Sequence, residues 1–170
     1  GDYRTYLQRV YGFFVPLEAA LATAPELETV IDAKGRAKSA LLAHDLFALG
    51  MTMDEVNALP QCTSIPTFRG PAAALGWMYV VERPLRASAV LRGHLATHLG
   101  AEMVLASSYL SCYAGQVGAM WRELGLAMER LASTPAIADR IVMSAHEAFR
   151  ALHRFRSHEL SQPVSIRIAG

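Results

Sequence analysis

Apolar positions recur at three- and four-residue spacing along most of the chain, the mark of helices that bury one face. Tyr3, Tyr6, Leu7, Val10, Phe14 and Leu17 predict a helix from Asp2 to about Ala22, kinked or broken at Pro16, which lacks an N–H. Pro25 starts a second segment that bends at Gly35. Ala37, Leu41, Leu42, Leu46 and Leu49 predict a helix from Lys34 that Gly50 ends. Thr52-Met53-Asp54-Glu55 is a capping box for a short helix to Leu59, and Pro60 to Gly70, with Ser64 and Pro66, reads as a loop.

The pattern changes at Gly70. Pro71 to Val81 carries no charge and is apolar nearly all round, as in a helix buried on several sides. Pro71 suits a first helical position, whereas Pro84 removes an interior hydrogen bond. One long rod kinked near Pro84 and stopped by Gly100 is therefore expected, with the rest of the chain packed around it. A further helix is predicted from about Ala106 to Leu131. Ser133-Thr134-Pro135 starts the last one, with Ile137, Ile141, Ala145, Phe149, Leu152 and Phe155 on one face to about His158. No strand pattern or internal repeat appears. The expectation is an all-α fold of six or seven helices, one domain over residues 1–160 and a tail over 161–170.

Composition narrows this picture little. The chain has 170 residues, 52% of them apolar, and a net charge of +1, so it lacks the basic footprint of a nucleic-acid binder. Cys62 and Cys112 are too few for a disulfide framework and read as reduced thiols of a cytoplasmic protein. Met103 to Trp121 has no charge over a span's length, but its serines, glycines and Gln116 make it too polar for lipid.

Three segments resemble one family. Ala74-Leu75-Gly76-Trp77-Met78-Tyr79-Val80-Val81-Glu82 is similar to the distal-helix entry of haem oxygenases of the biliverdin-producing, bacteriophytochrome-associated bacterial branch. Tyr11-Gly12-Phe13-Phe14-Val15-Pro16-Leu17-Glu18 and Gly118-Ala119-Met120-Trp121-Arg122 resemble two more stretches of that branch, in the same order, so the likeness covers roughly residues 3 to 155. It implies a helical bundle that holds haem, as cofactor and substrate together, between a histidine-bearing proximal helix and a distal helix. It also implies a supply of electrons from a donor.

The resemblance further implies a glycine after Glu82 and a glycine pair at 87 and 88, where backbone must come close to the macrocycle. This chain has Arg83, Ala87 and Ser88, with Pro84 as a new kink former. Ala87 and Ser88 are small enough to keep the approach close. Arg83 adds bulk and charge, either turned to solvent or reaching a propionate. Tyr79, Tyr113 and Arg122 are candidates for the pocket rim, because propionates need cations or phenols. Tyr113 also reads as a core aromatic and Arg122 as a helix-end charge. Trp77, Met78, Met120 and Trp121 read as core.

No histidine precedes Tyr11; the proximal helix either lies before Gly1 or is missing. His94 and His98 stand at metal-binding spacing without an acidic partner and read as surface residues. His146 and His153 read as a solvated face. No residue is assigned a catalytic or metal-ligating role. Two functions stay open: O2-dependent opening of haem to biliverdin, iron and CO, or a degenerate, non-catalytic relative that binds a tetrapyrrole or a regulatory protein partner.

Overall fold

A computed structural model describes residues 2–160, which contain helices and no strand. Helix α1, Asp2–Ala22, lays Leu7, Val10, Phe14, Leu17 and Leu21 into the core. It runs through Pro16 without interruption. The carbonyl that Pro16 leaves without a helical donor belongs to Gly12, and it accepts instead from the Cys62 N–H at 2.9 Å. Loop 60–62 thus repairs the ladder. That loop lies so close that a Cβ on Gly12 would overlap the Pro60 carbonyl.

Past α1 the chain makes a four-residue turn of helix, α2 (Leu27–Val30), and a 3₁₀ turn at Lys34–Arg36. Helix α3 spans Ser39–Ala48, starting later than Lys34. Its first N–H groups are capped from outside: the Glu18 carboxylate of α1 accepts from the Lys38 and Ser39 N–H groups at 2.6 and 3.1 Å. Gly50, at φ 86°, follows its end, as expected. Helix α4, Met53–Asn57, has the reciprocal Thr52–Glu55 capping box.

The expected rod is present and divided. Helix α5 spans Pro71–Glu82, a 3₁₀ stretch covers Arg83–Ala87, and α6 spans Ser88–Leu105. Helix α5 is the centre of the molecule; its most extensive contact is with α8, Pro135–Leu160. There Gly76 faces Ser144 and Ala145, and any Cβ on it would run into the Ile141 carbonyl and Ser144. Small residues let the two backbones meet, and Ala148 and Ala151 continue the buried seam.

Two expected boundaries are corrected. Gly100 does not stop α6: a local kink falls at Leu99 (φ −122°, ψ 23°), and the helix resumes to Leu105, with Met103 buried. The predicted helix from Ala106 begins only at Val117, as α7 (Val117–Leu131). The buried Asp45 carboxylate of α3 takes the N–H groups of Ser108 and Tyr109, each at 2.9 Å, and fixes a 3₁₀ turn at Tyr109–Ser111. Side-chain capture of backbone donors competes with helix here. The start of α8 at Pro135, after Thr134, agrees with the sequence reading. The proposed tail, 161–170, lies outside the described residues.

Candidate functional site

Glu82 ends α5, and its side chain turns inward into a cluster that the sequence does not announce. Lys38 Nζ donates to Glu82 Oε1 at 2.5 Å, Arg36 Nη1 to Oε2 at 3.3 Å, and the Tyr113 hydroxyl to Oε1 at 3.0 Å. Arg36 also donates to the Met120 carbonyl and to Glu123, which ties the 33–38 segment to α7. Arg36, Lys38 and Glu82 are all buried. A buried carboxylate held by two cations is costly to break, because whichever charge remains has no water to turn to. Burial, then the Glu82 carboxylate, pushes the Tyr113 phenol well above its ordinary range, so it stays a donor at any working pH. The end of α5, and with it the bend, is thereby pinned from two other segments.

The bend itself opens a cleft. Val80, Pro84, Phe149 and Leu152 form an apolar floor between α5 and α8, and Arg83, His153 and Arg156 stand around it, in about 310 Å³. All three basic residues are exposed. The cleft is amphipathic: an apolar base, with Val80 buried and Pro84 and Phe149 exposed, edged by groups that hold carboxylates or phosphates.

Of the residues named from the sequence, Arg83 lines this cleft. Ala87 is exposed and Ser88 buried, one turn beyond it at the start of α6. The other three lie elsewhere. Tyr79 packs against Trp121 of α7, ring centres 5.4 Å apart, and Arg86 covers the same indole at 5.1 Å. Tyr113 is in the Glu82 cluster, and Arg122 is exposed on α7. His94 and His98 do meet on α6, ring centres 4.6 Å apart. Among the described residues no group of three or more potential metal ligands converges.

Phe149, His153 and Arg156 of the cleft, and Arg36 and Lys38 of the cluster, were not named as site residues. The first three stand at helical spacing on α8, which ties a basic stripe to an apolar one; that spacing was the available signal. Arg36 and Lys38 had none, since nothing local in Lys34 to Lys38 says that two cations turn inward.

A family model described as Heme oxygenase matches residues 1–157 of the chain. No curated protein and no solved structure matches it. No helix among the described residues is long and apolar enough to cross a membrane.

Proposed function

The chain belongs to the haem oxygenase family, and from that premise we propose that it takes haem into the cleft at the bend between α5 and α6. Supplied with electrons by a donor protein, and with O2, it opens the macrocycle to biliverdin, iron and CO, as in the bacterial, bacteriophytochrome-associated branch.

The observation that carries this reading is the chemistry of the cleft's lining, which suits the apolar face and the propionate edge of the ligand. Haem is a flat apolar ring with two carboxylates on one edge; the cleft is an apolar floor with cations around it. Arg83 and Arg156 would hold the propionates, and Val80, Pro84, Phe149 and Leu152 would exclude water from the ring face. His153 offers an exposed imidazole beside the same floor. Ala87 and Ser88 keep the next turn slim. Tyr79, packed on Trp121, Tyr113, bonded to Glu82, and Arg122, exposed on α7, lie outside the cleft's lining and have no part in this seat. When bound, haem supplies the redox-active iron and is itself the carbon skeleton that is opened.

A second reading is favoured by Arg83 and Pro84, which stand in the stretch where the family pattern calls for glycine. In that reading the chain binds the tetrapyrrole without turning it over and serves as a binding or regulatory module. One experiment separates the two: hemin is added, then a reductant in air, and the absorbance is followed. The enzyme reading predicts a Soret complex that decays to biliverdin. A stable Soret complex that yields no biliverdin supports the second reading, and no complex at all overturns both.

A further inference from the structure

A second cavity, of about 250 Å³, lies on the other side of α5, between α1 and the 33–38 segment. Phe14, Leu17, Leu21, Met78 and Val81 give it an apolar body. Its mouth is formed by Ala22, Lys34 and Ala37, all exposed. Arg36 lines it as well, and the Arg36 Nε–H is buried with no hydrogen-bond partner, although both its Nη groups are engaged. An unmet donor on a buried guanidinium is unfavourable enough to call for an acceptor.

The other charges around the cavity define which acceptor. Glu82 is satisfied by Lys38, Arg36 and Tyr113, and Glu18 by the Lys38 and Ser39 N–H groups. Against these two carboxylates stand three cations, Arg36, Lys38 and Lys34. A dry 150 Å³ cavity holds benzene; by that scale this one takes about ten non-hydrogen atoms. It shares no lining residue with the cleft at the bend and opens from the opposite side of α5, so the two are distinct.

We propose that this cavity binds a small monocarboxylic acid with an apolar or aromatic tail. The tail lies among Leu17, Leu21 and Met78, and the carboxylate accepts from Arg36 Nε, with Lys34 at the mouth. The proposal stands independently of haem binding.

The test uses the whole chain with 3-phenylpropionate as the probe and methyl-detected NMR as the readout. Saturable shifts at Leu17, Leu21, Met78 and Val81 are expected, with the alcohol 3-phenylpropanol binding at least several-fold more weakly. Lys34→Gln, at an exposed position, should weaken the acid by about two- to five-fold and leave the alcohol unchanged. Leu21→Trp, which fills the cavity, should abolish the shifts. Shifts confined to Val80 and Leu152, equal binding of acid and alcohol, or no saturable shift (a cavity holding water only) would each overturn the proposal.

Discussion

Lys38 is the residue on which the bend most depends. It is almost wholly buried, yet its ammonium meets Glu82, Tyr113 and the Arg36 carbonyl. Replacing it with Met leaves Glu82 short of a cation in a dry site. The expected loss is about 3 kcal/mol, at the low end for a broken buried pair because Arg36 and Tyr113 remain. Chemical denaturation of Lys38→Met would measure it. The double change Lys38→Met/Glu82→Leu should recover only part of that loss: no carboxylate is then stranded, but buried Arg36 keeps only Glu123 and the Met120 carbonyl. The phenols give a pH prediction. Burial raises Tyr3, Tyr6, Tyr109 and Tyr113 in the folded protein above their unfolded value of 10.0. The stability they contribute is complete below pH 10 and falls as pH rises beyond it, because the unfolded chain releases its phenolic protons first. Tyrosinate absorbance from these four should therefore grow together with loss of the helical circular dichroism signal, not before it. At this scale the sequence was only partly legible. Tyr113 was legible as a rim phenol or a core aromatic, whereas its partners Lys38 and Glu82 come from positions 75 and 31 residues away, beyond any local pattern.

Elements were more legible, because helical periodicity and caps are local. The Thr52–Glu55 box, the stop at Gly50 and the start at Pro135 are where the pattern put them. Two of the misreadings, at Pro16 and at 108–109, share a cause: a distant group supplies or takes a backbone hydrogen bond. The Cys62 N–H keeps α1 whole at Pro16, and Asp45 keeps 108–109 out of a helix. Two of the three motif glycines, Gly12 and Gly76, likewise owe their place to another segment's backbone. Gly76→Ala should push α5 off α8 and cost about 1–3 kcal/mol, as overpacking does. Gly93→Ala in α6, where a Cβ meets nothing, should instead stabilise by about 0.5–1 kcal/mol. Thermal unfolding of the two variants gives opposite signs if the seam is as close as described, and equal signs if it is not.

At the scale of the molecule, α5 acts as a beam with a different opening on each side. The α8 side carries the open cleft with Arg83, His153 and Arg156; the α1 side carries the smaller cavity with Arg36. The family and its helical bundle were readable from three short motifs, since two of them hold close-approach glycines and all three sit on α1, α5 and α7. The cleft was readable only from the α5 side. Its α8 half looks, in sequence, like any solvated helix face, and becomes part of a site only when Gly76 brings α8 against α5. Beyond the cleft, Val90 and Val104 of α6 are 76% and 83% exposed. The measurement that bears most directly on the account is a hemin titration followed in the Soret band, run on the wild type and on Arg83→Glu/Arg156→Glu. Both changes are at exposed positions, so the fold should be kept. A saturable one-to-one complex in the wild type, weakened on the order of ten-fold by the charge reversals, is the predicted result. No saturable complex in the wild type, or equal affinity in the variant, would contradict it.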